Sequence, residues 1–132
     1  MVRLPDTHCH LAHERLRHRL AEVLARAEAA GVAPLVNVGI DLESSRLALA
    51  QAEDHPGCHP VAGLHPHRAR ELGRREGLAE ELAHLAADPR CVAVGETGLD
   101  FHYNHSPPAD QEKAFAWHAG LALELSRPLV VH

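Results

Sequence analysis

The sequence of 132 residues predicts an α/β fold built on a parallel sheet. Short apolar segments typical of strands alternate with longer amphipathic segments typical of helices, in the order β-α-β-α-β-α-β-α-β. The connections are short, and no linker, low-complexity tract or block of charge divides the chain. This alternation requires helical crossovers between parallel strands, in a sheet that is either doubly wound or closed into a barrel. The length is that of one ordinary domain.

The first two strand-helix units lie before Pro56. "RLPDTHCH" is a short, partly apolar segment, and "ERLRHRLAEVLARAEAAG" after it has leucine, valine and alanine at helical spacing, ending at Gly31. "PLVNVGI" predicts a buried strand. "DLESSRLALAQAED" predicts a helix that is capped by Asp41 and ends before the proline.

The second half continues the alternation. "HPVAGLH" predicts a strand, and a helix is expected from about Ala69 to Ala87. "CVAVGETGLD" begins as a continuous apolar strand of the kind buried on both faces. After the loop "FHYNHSPP", the segment "ADQEKAFAWHAGLALELS" predicts a helix, and "RPLVVH" predicts a fifth strand.

The composition indicates a globular protein without a membrane partner. Hydrophobic residues make up 45% and charged residues 23%. The net charge of -5 argues against a protein that coats nucleic acid electrostatically, because that role leaves a basic surface. No segment resembles a signal peptide or a membrane span, and the odd number of cysteines (Cys9, Cys58 and Cys91) suits reduced thiols in a core. We therefore expect a cytoplasmic protein.

Candidate ligands follow four of the five predicted strands. Binding groups concentrate at the carboxyl ends of parallel strands, which meet on one rim of the sheet. His8 and His10 are two positions apart, so both leave the same face of the first strand while Cys9 points to the other. Two imidazoles at this spacing can hold one metal ion, and the alternative is a pair of hydrogen-bonded histidines at a strand end.

Glu96 and His132 end two further strands. A buried carboxylate such as Glu96 in "GETGLD" needs a partner, either in a salt bridge or on a metal. The flanking Gly95 and Gly98 allow the backbone to come close to a ligand or to bend sharply. His132 follows "PLVV" at the end of a buried strand, where a lone histidine is commonly a core residue with its hydrogen bonds made.

Convergence of these strand ends favours a metal site. Three imidazoles and one carboxylate suit zinc, or manganese or magnesium when carboxylates and waters complete the shell. If the sheet closes, one rim carries this set: His8, His10, Glu96 and His132. In "GLHPH", His65 and His67 lie on the same rim and either donate to a substrate phosphate or terminate the strand. The loop "DFHYNHSPP" either lines a cleft or is simply solvated.

Four segments closely resemble the TatD family of metal-dependent hydrolases, within the amidohydrolase superfamily. They are "DTHCHL" at 6–11, "GLHPH" at 63–67, "VAVGETGLDFHYNHSPPADQEKAF" at 92–115 and "LALELSRPLVVH" at 121–132. The resemblance implies that residues 1–132 are the N-terminal part of one TIM-type (β/α)8 barrel domain, comprising its first five strands and four helices. It implies DNase or related phosphodiesterase activity on DNA that is single-stranded or has an exposed end.

The resemblance also implies roles for particular residues. A pair of divalent metal ions (zinc, magnesium or manganese) would sit at the carboxyl rim. His8 and His10 resemble ligands of the first ion, Glu96 the catalytic carboxylate that bridges both, and His132 a ligand of the second. His65 resembles a residue near the scissile phosphate.

The sequence departs from the family pattern mainly in length. A complete barrel of this type needs about 250 residues, and the family's later histidine and metal-binding aspartate are absent here. Ala12 stands where members often carry aspartate. We therefore expect a truncated barrel. Two alternatives to the nuclease stay open: a deacylase on the same scaffold, and a metal-binding fragment without catalysis.

Overall fold

Five parallel strands form one sheet in the order β1-β2-β3-β4-β5 in the computed structural model, which describes residues 2–132. Their bounds are Leu4–Cys9 (β1), Val32–Val38 (β2), Cys58–Ala62 (β3), Ala93–Thr97 (β4) and Leu129–Val131 (β5). Each strand pairs with the one before it in the sequence, so the winding never reverses. This is the order of a barrel, and it excludes the doubly wound alternative. The prediction of five parallel strands in an incomplete barrel is confirmed.

Five α-helices and one 3-10 helix connect the strands. Their bounds are Glu14–Arg17 (α1), Leu20–Ala29 (α2), Leu42–Asp54 (α3), Pro66–Gly73 (the 3-10 helix), Leu78–Ala87 (α4) and Pro108–Glu124 (α5). The four predicted helical connections are present, but the first and third are each divided into two helices.

Local backbone geometry causes both divisions. The N–H of Arg19 bonds to the carbonyl of Leu16, a tighter turn than an α-helix makes, so α1 and α2 are separate helices that pack on one apolar cluster. The predicted helix from Ala69 to Ala87 is interrupted at Gly77, which has a φ of 77° and precedes α4. That left-handed conformation is easily adopted by glycine and cannot continue an α-helix.

The predicted cap of α3 is confirmed. The Asp41 carboxylate accepts a hydrogen bond from the N–H of Ser44 at 2.8 Å, and the Ser44 hydroxyl accepts one from the N–H of Asp41 at 3.0 Å. This reciprocal pair satisfies two donors that the first helical turn leaves free. The helix ends at Asp54, just before His55 and Pro56, because the residue preceding a proline avoids the helical conformation.

Two apolar layers cover the two faces of the sheet. The outer layer packs helix residues such as Leu49, Ala86 and Leu121 against Ala62 and Val94 of the sheet. The inner layer is formed by valine and alanine side chains, namely Val36, Val38, Val61, Ala93 and Val130. The edge strands are less covered: β5 is half-buried to exposed along its length, so the expectation that His132 ends a buried strand is wrong.

The cysteines follow the expectation in part. Cys58 and Cys91 are buried, whereas Cys9 is half-buried. All three are free thiols in the described chain.

Candidate metal centre

The ends of β1, β3, β4 and β5 bring five predicted site residues together around Glu96. The Glu96 side chain is 5% exposed, and its two oxygens face different pairs of histidines. Oε2 lies 3.0 Å from His8 Nε2 and 3.7 Å from His10 Nε2. Oε1 lies 2.8 Å from His132 Nδ1 and 3.7 Å from His65 Nε2. The rim therefore places one carboxylate between two sets of imidazoles.

Glycines bring Glu96 into this position. A Cβ atom on Gly63 would lie 2.4 Å from the carbonyl carbon of Gly95, so β3 and β4 approach more closely than side chains would permit. Gly95 itself has a φ of 139°, and a Cβ there would lie 2.5 Å from the carbonyl oxygen of Val130. At Gly95 the backbone thus comes close to β5, and an alanine at either glycine would displace the strand that carries Glu96.

His8 of β1 and His10 just after it form the first group, together with Glu96. As predicted, they share one face, while Cys9 turns away and its Sγ lies 3.3 Å from the carbonyl oxygen of Val36. His10 Nδ1 lies 2.9 Å from the carbonyl oxygen of Val38, to which it donates. In the neutral ring Nε2 then carries a lone pair, which faces a carboxylate oxygen of Glu96. A cation between these two acceptors would be attracted to both.

A second group lies on the opposite side of Glu96 and contains His65, His67 and His132. His67 Nε2 is 2.6 Å from Asp100 Oδ2, and His132 Nε2 is 3.2 Å from the same oxygen. The other oxygen of Asp100 accepts the N–H of Tyr103 at 3.1 Å. Asp100 therefore orients two histidines of this group.

Sequence reasoning missed Asp100 and assigned His67 no definite place. From the sequence, Asp100 was one of several polar residues in a loop. His67 had two alternative interpretations, as a hydrogen-bond donor to a substrate phosphate or as the residue that ends a strand. The available signal was the spacing within "GETGLD", which puts Asp100 four residues after Glu96 at the same strand end. Its partner His67 is 33 residues distant, so the pairing itself was not readable.

Electrostatics at the rim keep the carboxyl groups ionised. Burial raises the pKa of the Glu96 carboxyl, but hydrogen bonds from His132 and His8 outweigh burial and hold this pKa below its usual range. The backbone N–H of Tyr103, together with His67, holds the pKa of the Asp100 carboxyl well below its usual range. Burial lowers the pKa of His65 to about 4, so this imidazole is neutral near pH 7.

The donor atoms fit a divalent metal. Within each group, His8 with His10 and Glu96, and His65 with His67 and His132, the ligand atoms all lie within 4.8 Å of one another. Ligand atoms about 2.0–2.2 Å from a tetrahedral zinc ion lie about 3.3–3.6 Å apart, so side-chain movements of about an ångström close each shell. Imidazole nitrogens and carboxylate oxygens are also suitable ligands for manganese.

A cavity of about 790 Å³ opens beside both groups of candidate ligands. Its wall includes His10, His65 and Glu96 from the rim, with Ile40 and Ser44 from the segment around the start of α3. His13 of the loop after β1 and Arg17 of α1 line another side. The cavity gives a ligand access to the carboxylate.

None of the helices in residues 2–132 has the length and apolar character needed to cross a membrane.

The chain is similar to a known protein family and to several named proteins. A family model described as TatD related DNase matches residues 5–132. Over 127 residues the chain is 40% identical to the "3'-5' ssDNA/RNA exonuclease TatD" of Cronobacter sakazakii, which covers 96% of this chain and 48% of that protein. Over 111 residues it is 44% identical to the protein of the same name from Citrobacter rodentium, covering 84% of this chain and 41% of that one.

Solved structures agree with these relatives. The crystal structure of YJJV, a TatD homolog from Escherichia coli, superposes with a TM-score of 0.85 at 28% identity and covers 98% of this chain and 50% of that one. An uncharacterised amidohydrolase from Saccharomyces cerevisiae shares the fold, with a TM-score of 0.82 at 18% identity. The chain spans about half the length of the curated relatives it matches.

Proposed function

The chain belongs to the family of TatD related DNases, and on this premise we propose that it provides the metal-binding rim of a nuclease that hydrolyses phosphodiester bonds. The proposed substrate is a single-stranded nucleic acid with an accessible 3' end, since the relatives from Cronobacter sakazakii and Citrobacter rodentium are named as 3'-5' ssDNA/RNA exonucleases. Residues 1–132 are the proposed N-terminal part of a single barrel domain. The cytoplasm is the proposed location, because unpaired thiols persist in a reducing compartment.

The observation that supports this proposal best is the position of Glu96. One carboxylate oxygen faces His8 and His10, and the other faces His65 and His132. A carboxylate flanked in this way can bridge two divalent ions, which is the arrangement of two-metal phosphodiesterases. The proposed ligands are His8, His10 and Glu96 for one ion, and Glu96 and His132 for the other. Bound ions would polarise the phosphodiester and lower the pKa of water at the site.

The protein's own groups orient these ligands. The carbonyl of Val38 accepts the Nδ1 proton of His10, which directs the lone pair of Nε2 toward the site. Asp100 holds both His67 and His132 through one oxygen and so limits rotation of these rings. The side chains are thus arranged before any ligand arrives, and little reorganisation is needed.

His65 differs from the other histidines because of its tautomer. Its Nδ1 accepts the N–H of His67 at 3.2 Å, so the proton of the neutral ring is on Nε2, which faces Glu96 Oε1. A neutral N–H donor at this point suits a hydrogen bond to a phosphate oxygen as charge develops in the transition state. We assign His65 to substrate binding for this reason.

The general base of the reaction is proposed to lie outside residues 1–132. The resemblance to the family implies a later aspartate for this role, and the curated relatives are about twice as long as this chain.

Metal titration tests the proposal on the chain as it is. We expect Zn²⁺ or Mn²⁺ to bind the wild-type chain in calorimetry, and Glu96→Gln to weaken binding by at least about a hundredfold because both sites lose a ligand. Glu124→Gln is the matched control, since the same change is made on an exposed residue at the end of α5. Equal affinity of wild type and Glu96→Gln would refute the bridging role.

Hydrolysis is tested in a fusion protein, in which this chain is followed by the C-terminal half of one of its relatives. We expect digestion of 3'-labelled single-stranded DNA with added Mg²⁺ or Mn²⁺, and loss of this activity in Glu96→Ala. Nuclease activity that survives the substitution at the full rate would contradict the proposal.

A further inference from the structure

The loop from residue 99 to residue 106, here called the rim loop, exposes aromatic rings beside the candidate metal centre. It connects β4 to α5. The whole chain has one Trp, one Tyr and two Phe, and two of these four residues, Phe101 at 49% and Tyr103 at 64% exposure, project from this loop. The other two, Phe115 and Trp117, are half-buried in α5. Exposing scarce aromatic rings costs hydrophobic stabilisation, which suggests that the surface has a ligand.

The rim loop is held in place by a buried polar residue of α5. Gln111, which is fully buried, accepts the N–H of Asp100 at 2.7 Å and donates to the carbonyl of Ser106 at 2.8 Å. The Ser106 hydroxyl in turn donates to the carbonyl of His67 at 2.9 Å. Both ends of the loop are therefore fixed, and the exposed rings are presented on an ordered backbone.

The loop is adjacent to the proposed reaction site. The Tyr103 ring centroid lies 5.9 Å from that of His67, which lies 4.3 Å from that of His65. His65 Nε2 is in turn 3.7 Å from Glu96. A chain whose phosphate lies at Glu96 would therefore carry its neighbouring nucleotides past Tyr103.

The polar surroundings suit a nucleotide. The carboxylate of Asp100 is turned inward and is 7% exposed, so it does not repel phosphates at the surface. Arg70 is exposed, and its N–H bonds to the Ser106 hydroxyl at 3.2 Å. In the part of the chain described here, Arg70 makes no ion pair. The aromatic rings offer stacking surfaces, and the exposed Arg70 is joined to the same loop through its backbone N–H.

We propose that Tyr103, with the exposed Phe101 of the same loop, provides stacking surfaces for unpaired nucleobases next to the scissile phosphate. This inference rests on the proposed nuclease function and deepens it, because it makes the exposed base a requirement for binding. Stacking on aromatic side chains accepts any base but needs bases that are not already stacked in a duplex. The site would therefore select single strands without selecting sequence.

Binding of oligonucleotides in EDTA tests the stacking site separately from the metal centre. Fluorescence anisotropy compares a labelled oligothymidylate of about ten nucleotides with an oligomer of the same length that lacks bases. We expect the wild-type chain to prefer the oligomer with bases, and Phe101→Ala with Tyr103→Ala to weaken its binding about five- to tenfold. Binding of the abasic oligomer is expected to be unchanged by this double substitution.

Two control variants show whether the double substitution acts by unfolding the chain or by a general change of its surface. Tyr103→Phe keeps the ring and is expected to bind as wild type does, and Leu123→Ala removes an exposed apolar side chain near the far end of α5. Equal binding of both oligomers by wild type, no binding of either, or an unchanged affinity in the double variant would each overturn the stacking site. None of these outcomes depends on the metal titration of Glu96→Gln, so the two proposals fail separately.

Discussion

His118 and His10 differ in what their second ring nitrogen contacts. This contact distinguishes a histidine that stabilises the fold from one that belongs to the site. His118 is buried between α5 and the sheet; its Nδ1 donates to the carbonyl of Ala114 at 2.6 Å, and its Nε2 accepts the N–H of Leu64 at 2.9 Å. His10 at the rim also donates to a carbonyl, but its Nε2 faces the carboxylate of Glu96. The hydrogen bonds of His118 are complete, whereas His10 is arranged for a proton or a cation.

The same contrast holds for the regions around these residues. Beneath the helices, Asn37 and Gln51 join with the backbone of Leu11 in a closed set of hydrogen bonds. Among residues 2–132 no buried side-chain nitrogen or oxygen lacks a partner. Polar groups under the helices therefore stabilise the fold, while those at the rim are gathered where carboxylate and imidazole face each other.

The largest expected effect is that of His118 on the free energy of unfolding. Burial lowers the pKa of His118 to about 4, below the value of about 6.5 in the unfolded chain. Between these values the unfolded state binds more protons, so the free energy of unfolding falls as the pH falls from 6.5 to 4. This one group is expected to remove about 3 kcal/mol over that interval.

Urea unfolding at several pH values measures this loss. His118→Gln keeps an acceptor for the N–H of Leu64 and does not titrate, so its profile is expected to be flatter than that of wild type. The difference between the two profiles isolates His118 from the other histidines. Profiles of equal slope would show that His118 is not held neutral by burial.

The next largest effect is the stabilisation of the folded chain by a metal bound at the rim. A metal that binds only the folded chain stabilises it by about 2.7 kcal/mol at a free concentration of one hundred times its dissociation constant. We expect this gain for wild type and for His118→Gln in urea unfolding with and without Zn²⁺, and almost none for Glu96→Gln. A gain in Glu96→Gln equal to that of wild type would show that the metal binds elsewhere.

The smallest expected effect concerns the residue that connects the two regions. Gln111→Ala leaves buried backbone groups of Asp100 and Ser106 without partners, at a cost of about 2 kcal/mol in the free energy of unfolding. Glu112→Ala, a change on the exposed face of α5, is the control and is expected to be nearly neutral. Amide hydrogen exchange is expected to be faster at Asp100 in Gln111→Ala alone; unchanged exchange would mean that Gln111 does not hold the rim loop.

Prediction from the sequence worked best where a few neighbouring residues decide the structure. The cap at Asp41 and the shared face of His8 and His10 depend only on local spacing, and both are confirmed. The division of the third predicted helix at Gly77 was missed, because apolar periodicity on both sides concealed a single left-handed residue.

Prediction was weaker for pairings between distant residues. Asp100 and His67 are joined by one hydrogen bond across 33 positions, and neither residue has a local pattern that indicates the other. Gln111 likewise looked like any polar residue of a helix until the loop that it holds was seen packed over it.

By itself, the sequence determined the alternation of strands and helices, the family and the residue types that meet at the rim, because spacing and motif are local properties of the chain. Only the tertiary structure decided that each oxygen of Glu96 faces its own pair of histidines and that Asp100 orients two of them. These arrangements depend on how closely β3, β4 and β5 approach, which Gly63 and Gly95 permit but do not specify. Distances between strands arise from packing of the whole sheet, and no single segment contains them.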